Sequence, residues 1–221
     1  MKMSRNYLLV LFLLFCSSSP LFSQTEIVSV YPDMKYEIAY EKFDMNLVRN
    51  KFKGSLLEYS YDKSEGGSIR YLSYKRGTEV EVYETFPAPY VHALYKEFYP
   101  NGKLKKKGVV LPNQVRVGKW IEFDEAGEAS IVDYEMNRSG FGYNGILEFL
   151  ESEGYYNSDD KENVWSLVFS HSPGKWSVRA SKDGDQKHYM FDDATGEVSE
   201  MEIYRPKTPI VVYDYEQEME D

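Results

Sequence analysis

Two stretches of this chain repeat one pattern and decide its fold: YKEFYPNGKLKKKG at Tyr95–Gly108 and WIEFDEAGEASIVD at Trp120–Asp133. Each stretch has the order of an aromatic strand, a turn at glycine and a return strand. At an offset of 25 residues the aligned pairs are Tyr95 and Trp120, Phe98 and Phe123, and Gly102 and Gly127. A unit that recurs at a fixed spacing predicts neighbouring hairpins in one sheet, with Tyr95 and Trp120 on the same side of it.

Period-two alternation of apolar and polar residues extends over Ser55–Glu135 and predicts strands with one buried face. The turn residues that interrupt it are Gly66-Gly67, Pro100-Asn101-Gly102 and Ala126-Gly127. The preceding segment, Tyr31–Phe52, fits a strand over Met34–Tyr40 and fits a helix nearly as well.

The second unit has the form G-x-W-x-x-F-x-x-x-G, at Gly118–Gly127. It resembles the MORN-repeat variant of bacterial proteins in the YwqK family of antitoxin-like proteins, over Leu94–Glu135. The first unit departs from this pattern, with Ala93 in place of glycine and Tyr95 in place of tryptophan. The resemblance implies a sheet of stacked hairpins and, for some relatives, an antitoxin- or immunity-like role.

The pattern changes past residue 137. Apolar residues at helical spacing predict a helix over Tyr143–Gly154. Strands are predicted around Trp165–Phe169, Trp176–Val178 and His188–Phe191. With W-S-V in one strand and Y-M-F-D-D-A-T-G-E-V in a later one, this order is similar to a PepSY-like module, in which D-x-x-T-G-E is a turn. A further short strand is predicted at Ile210–Tyr213, before an acidic tail.

The N-terminus has the three-part layout of a secretory signal peptide. Lys2 and Arg5 precede the apolar run Tyr7–Phe15, and small polar residues lead to a cleavage site after Ser23. The run is shorter than the ~20 residues that span a bilayer, and a bulky residue before Cys16 disfavours a lipoprotein. We expect a periplasmic or secreted protein, with no membrane span in the mature chain.

Removal of residues 1–23 leaves a chain without cysteine, because Cys16 is the only one. Disulfides, thiolate catalysis and cysteine-ligated zinc are then excluded. The loss of Lys2 and Arg5 takes the net charge from −10 to −12, since all 36 acidic residues remain. A negative field disfavours nucleic acid and anionic membranes as partners over the whole surface.

Patterns that suggest catalysis, metals or cofactors each have a simpler structural explanation. His92, His171 and His188 have neither metal-ligand nor catalytic spacing, and the sequence contains no G-x-S-x-G elbow. Gly140–Gly145 spells G-x-G-x-x-G without a surrounding βαβ unit, and Asp192–Glu197 is too short for an EF-hand loop. We expect no catalytic residue, no metal and no cofactor.

Charge is distributed unevenly along the chain. Residues 96–119 contain seven basic residues and one acid, Glu97, so this stretch has a charge of +6. It is either a solvated strand face whose lysines discourage edge pairing, or a contact surface for an acidic partner or for the chain's own acidic tail. Aromatic residues on a rigid sheet make large contacts at low entropic cost. The candidate binding residues are therefore Tyr95, Lys105, Lys106, Lys107 and Trp120.

Together these features predict a mainly β, α+β protein: a signal peptide over 1–23, a repeated-hairpin sheet over 24–136, a PepSY-like helix-plus-sheet unit over 137–204, and a short strand with an acidic tail over 205–221. We expect a non-enzymatic protein that binds another protein of the cell envelope through the hairpin sheet, antitoxin- or immunity-like by resemblance. The alternatives are an exported protease-regulating or hydrolase-associated domain, and an envelope structural protein.

Export predicts a defined N-terminus. Mass spectrometry of the protein purified from its native source should give a chain that begins near Gln24, because the signal peptide is removed during secretion. An intact Met1, or a lipid on Cys16, would contradict this expectation.

Overall fold

Antiparallel strands that follow one another in sequence order account for most of the residues that the structure describes. The structure, a computed structural model, describes residues 25–52, 57–73, 78–88, 90–135, 141–156 and 165–201. Across these ranges the chain is mainly β, as predicted, with two short α-helices.

The strands form three antiparallel sheets. The N-terminal hairpin consists of β1 (Glu26–Val30) and β2 (Met34–Ile38), and helix α1 (Met45–Arg49) follows it. The seven-stranded sheet consists of β3 (Leu57–Asp62), β4 (Ser68–Ser73), β5 (Val80–Thr85), β6 (Ala93–Phe98), β7 (Leu104–Leu111), β8 (Val115–Phe123) and β9 (Ala129–Asp133). Helix α2 (Tyr143–Ser152) precedes the four-stranded sheet of β10 (Ser166–Ser172), β11 (Lys175–Lys182), β12 (Asp185–Asp192) and β13 (Val198–Met201).

Glycines close the turns between β6 and β7 and between β8 and β9, where the sequence predicts them. Gly102 has φ 79° and Gly127 has φ 94°, backbone conformations that favour glycine over residues with a Cβ. Asp124 stabilises the second turn, because its Oδ1 accepts hydrogen bonds from the amides of Gly127 at 2.7 Å and Glu128 at 2.8 Å. β6 with β7 and β8 with β9 are therefore antiparallel pairs of the same sheet, each closed by a glycine turn.

One contiguous core joins the N-terminal hairpin, the inner face of the seven-stranded sheet, α2 and the four-stranded sheet. The hairpin approaches β8 closely at Gly118, which has φ 65°. A Cβ at this position would lie 2.8 Å from Cγ1 of Val28. Gly118 therefore allows β1 to pack directly on the inner face of the sheet.

Helix α2 contacts the N-terminal hairpin on one side and the four-stranded sheet on the other. On one side the Tyr143 hydroxyl donates a hydrogen bond to the carbonyl oxygen of Ser29. On the other side the Phe149 ring packs edge-to-face on Tyr189 and Phe191 of β12, with centroids 5.2 and 5.1 Å away. The helix thus connects the N-terminal hairpin with the four-stranded sheet.

The predicted elements of the described ranges are largely confirmed. Tyr31–Phe52, for which strand and helix were both open, contains β2 and α1. The predicted helix over Tyr143–Gly154 ends at Ser152. The predicted signal peptide, the predicted boundary near Met136 and the predicted strand and tail from residue 205 lie outside the described residues. No helix in the described ranges is both long and apolar enough to cross a bilayer.

His92 is buried among aromatic rings on the inner side of the protein. Its side chain is 1% exposed, and its Nε2 lies 2.6 Å from the Tyr36 hydroxyl. The rings of Tyr36, Phe86 and Tyr90 surround it, at centroid distances of 5.4, 5.3 and 5.7 Å. Its Nδ1 has no hydrogen-bond partner among the described residues. Burial lowers the pKa of His92 from 6.5 to about 4, because a charged imidazolium would be poorly solvated here.

Folding stability should therefore decrease as the pH falls from about 6.5 to about 4. The unfolded chain protonates His92 near pH 6.5, whereas the folded chain does so only near pH 4. This pKa difference corresponds to about 3 kcal/mol of folding stability, which is fully present above pH 6.5 and is lost below about pH 4. Urea unfolding across this range should show a shallower pH dependence in His92→Gln.

His188→Gln, a change at a partly exposed histidine, is the matched control and should keep most of the wild-type slope. If the unfolding free energies of wild type and His92→Gln depend equally on pH, the pH dependence does not come from His92.

Candidate binding cleft

The seven-stranded sheet buries side chains on both faces. Its inner face packs into the contiguous core, and its outer face has a second buried cluster of Tyr95, Val110 and Trp120. The partly buried residues packed against this outer cluster are Tyr83, Ala93, Val132 and Tyr134. The ring centroids of Tyr95 and Trp120 lie 5.5 Å apart, which confirms that these aligned residues lie on one side of one sheet.

The indole of Trp120 lies directly over Gly108 of β7. A Cβ at Gly108 would come within 2.1 Å of the indole Cδ2, far inside van der Waals contact. The indole Nε1 donates a hydrogen bond to the Val117 carbonyl oxygen at 3.1 Å, so the buried ring has its polar partner. The role of Gly108 was not predicted from the sequence. A glycine inside a strand pattern is nevertheless the usual signal of a bulge or a close approach, and the β7–β8 register shifts here.

Burial leaves almost none of the Tyr95 and Trp120 side chains open to direct contact with a partner. Their side chains are 7% and 0% exposed, whereas a sheet that binds through an aromatic stripe has its rings at the surface. Sequence periodicity placed both residues on one face but did not indicate that neighbouring side chains cover them. These two candidate residues support the outer face from beneath.

A cleft of about 270 Å³ lies on this outer face. The residues that line it are Glu81, Tyr83, Tyr95, Glu97, Lys106, Val110, Gln114, Arg116 and Trp120. Two acids and two bases thus share a small cavity with one amide and the edges of the aromatic cluster. Such a cavity suits a polar group with charges of both signs better than an apolar ligand.

Glu97 is the most deeply buried charge of the cleft. Its carboxylate accepts ion-pair contacts from Lys106 at 2.6 Å and Lys105 at 2.9 Å, and a hydrogen bond from the Tyr95 hydroxyl at 2.9 Å. Burial raises the pKa of Glu97, but the hydrogen bonds from Lys106 and Lys105 outweigh it and the pKa is lowered. Glu97 is therefore an ionised carboxylate with fixed partners.

Arg116 is the second basic residue that lines the cleft. Its guanidinium carbon lies 4.9 Å from the centroid of Trp120 and 5.5 Å from that of Tyr134, and its Nη1 donates to the Tyr134 hydroxyl. Cation–π contact on two rings holds the guanidinium in one place. Next to it, Gln114 lines the cleft with φ 60°, after Asn113 with φ 65°. Left-handed backbone at consecutive non-glycine residues is costly and concentrates at functional sites.

The three candidate lysines occupy different environments. Lys105 pairs with Glu79 at 2.7 Å as well as with Glu97, and Lys106 faces the cleft. Lys107 is 8% exposed and lies near Glu41, with 3.7 Å between Nζ and Oε1. The structure therefore brings Lys106 together with Tyr95 and Trp120, and separates Lys107 from them. Acids from distant parts of the chain compensate much of the +6 stretch.

Two histidines have side-chain partners that sequence spacing did not reveal. His171 Nε2 lies 2.8 Å from Asp193 Oδ2, and His188 Nε2 lies 2.7 Å from Ser177 Oγ. These partners are far apart in sequence, so spacing rules within one element cannot find them. Asp192 Oδ1 accepts the amide of Thr195 at 2.9 Å, as in the predicted turn. Within the part of the chain that the structure describes, no three His, Cys, Asp or Glu side chains form a metal-binding group.

Comparison of the chain with protein-family models, with curated proteins and with solved structures finds no match. The MORN-variant and PepSY-like resemblances therefore stay predictions from the sequence motifs.

Substitution of Gly108 should disrupt the outer cluster. Gly108→Ala forces the Trp120 ring to move, and overpacking of this kind costs about 1–3 kcal/mol. We expect the free energy of unfolding measured in urea to fall by this amount, and the tryptophan fluorescence to change. In a Trp120→Leu background the same substitution should cost less, because the obstructing ring is absent. Equal losses of unfolding free energy in the two backgrounds would show that Gly108 does not make room for the Trp120 ring.

Proposed function

We propose that this chain is an exported binding protein that receives a charged segment of another protein in the outer-face cleft of its seven-stranded sheet. The observation that carries the proposal is the cleft itself, with Glu81, Glu97, Lys106 and Arg116 on one small cavity. The sheet beneath it is braced by the contact of Trp120 with Gly108.

The size and charge of the cleft favour a polypeptide partner. Its volume of about 270 Å³ is below the roughly 300–1,000 Å³ of sites that enclose drug-sized ligands. One or two side chains of a partner fit such a space. A polypeptide segment can present acidic and basic groups together, which matches acids and bases that are already fixed by the protein.

Several features support binding over catalysis at this cleft. Among the described residues, its lining includes no serine, cysteine or histidine that could act as nucleophile or base. The lowered pKa of Glu97 keeps it ionised, whereas a carboxyl that acts as general acid near neutral pH needs a raised pKa. The alternative of a protease-regulating domain depends on the PepSY-like resemblance of 137–204 alone.

Export and the family resemblance enter this proposal from the sequence. Lys2, Arg5 and the apolar run Tyr7–Phe15 support a signal peptide, and the unit at Gly118–Gly127 supports a MORN-variant sheet of repeated hairpins. An envelope partner follows from export. An immunity-like role follows from the family resemblance.

Loss of one cleft charge should weaken partner capture. The test is a pulldown from envelope extracts with immobilised wild type, Lys106→Gln and Arg116→Gln at low and high salt. We expect the captured protein to decrease about tenfold in each variant, because a charge-assisted contact is removed. Capture by wild type should also fall as salt rises.

Lys103→Gln is the matched control, because it removes the same charge from the same basic stretch at an exposed residue outside the cleft lining. It should retain wild-type capture. Equal losses in Lys103→Gln and Lys106→Gln would indicate general charge attraction and contradict the cleft as the binding site. Thermal unfolding of each variant controls for folding.

A further inference from the structure

The outer face of the four-stranded sheet differs in charge from the rest of this acidic protein. Residues of β10, β11 and β12 that alternate with the buried core positions face outward. Away from the end formed by Ser172, Lys175 and Asp192, they are Ser166, Val168, Ser170, Ser177, Arg179, Ser181, Gln186, His188 and Met190. None of these residues is acidic, although the chain has 36 acidic residues.

Arg179 lies at the centre of this face. It is exposed and pairs in register with Val168 of β10 and His188 of β12. Among the residues that the structure describes, it has no acidic partner. Arg70, the other exposed arginine on the described strands, has such a partner, because its Nε lies 2.7 Å from Oε1 of Glu58. Arg179 therefore retains free donors for an external anion.

Two further polar groups converge beside Arg179. The hydroxyl of Ser177 and Nε2 of His188 are 2.7 Å apart, and Ser177 pairs in register with Ser170. Burial and the charge of Arg179 lower the pKa of His188. The hydroxyl, the imidazole and the guanidinium thus lie on one patch of two neighbouring strands.

Acids are directed away from this patch on the adjacent strand. On β13, Met201 pairs with His188 and Ser199 pairs with Met190, so these two residues share the outer face. Glu200 pairs with Tyr189, which belongs to the buried face. Its carboxylate contacts Lys187 at 2.5 Å. Across the described strands, His188 is therefore faced by Arg179 and by no carboxylate.

We propose that Arg179, His188 and Ser177 form a binding site for a phosphate- or sulfate-type oxyanion. A guanidinium can donate two parallel hydrogen bonds to such a group. The serine hydroxyl supplies a third donor, and a protonated imidazole supplies a fourth. The site is separate from the outer-face cleft and does not depend on the function proposed for it.

The anion also relieves an unfavourable interaction in the free protein. Positive charge on Arg179 opposes protonation of His188, and a bound dianion offsets that repulsion. Binding should therefore tighten as the pH falls through the pKa of His188, and the bound anion should raise that pKa by linkage.

NMR titration of the mature chain tests the site. The His188 imidazole resonances are followed while sulfate replaces chloride at constant ionic strength, and the series is repeated at several pH values. Sulfate is the probe for the pH series because it stays dianionic throughout. We expect saturable shifts of His188, tighter binding at lower pH, and a raised His188 pKa in sulfate.

Variants assign the contacts. Arg179→Gln should weaken sulfate binding about tenfold or more, because its charge-assisted hydrogen bonds are lost. Ser177→Ala should weaken it less. Arg70→Gln, which removes an exposed arginine from the other sheet, should leave it unchanged. Thermal unfolding should remain close to wild type in all three, because the substituted side chains are at least partly exposed.

Inorganic phosphate and glycerol phosphate, compared at one pH, distinguish a free anion from a group carried on a larger molecule. If glycerol phosphate binds more tightly than inorganic phosphate, its glycerol group contacts the neighbouring serines and the site receives a phosphate carried on a larger molecule. If the two bind equally tightly, the site receives the anion alone. Shifts that do not saturate, or equal losses in Arg179→Gln and Arg70→Gln, would overturn the proposal.

Discussion

The contact between the Trp120 indole and the backbone of Gly108 determines how the outer face of the seven-stranded sheet is built. The ring occupies the space that a side chain on β7 would fill, and it gives Tyr95 and the Arg116 guanidinium a surface to pack on. Because both strands also contribute to the main core, the same two strands are covered on both faces. The charged groups of the cleft therefore lie on a rigid surface. Rigidity favours binding, because side chains that are already ordered lose little conformational entropy when a partner binds.

Charge compensation is the second organising feature of this surface. The basic stretch around β7 looks like a positive patch in the linear sequence, but folding places acids of other strands beside it. Glu41 lies near Lys96 and Lys107, and Glu79 lies near Lys105. Partly exposed pairs of this kind contribute little stability individually. Their main effect is to replace a broad positive field with separate local dipoles, so a partner must match individual positions.

The local elements could be predicted from the sequence because their signals are local. Alternation fixed the strands, and glycines marked the turns at Gly102 and Gly127. The period change predicted α2. The environment of Lys107 could not be predicted in this way, because its partner Glu41 lies 66 positions earlier in the chain. Periodicity placed Tyr95 and Trp120 on one face, but their burial depends on side chains from other strands. The Arg179 site was missed for the same reason, since its three residues come from two strands.

The packing of the N-terminal hairpin also has a consequence for the order of folding. β1 and β2 are synthesised before the elements that they pack against: they contact β8, and the backbone amide of Tyr31 donates to the side chain of Asn144, 113 positions later. The carbonyl of Ser29 likewise accepts from Tyr143. A two-stranded hairpin is marginally stable by itself in water, so these strands cannot settle until α2 has been made. Contacts with such sequence separation slow folding, so the N-terminal hairpin reaches its final packing only late in synthesis.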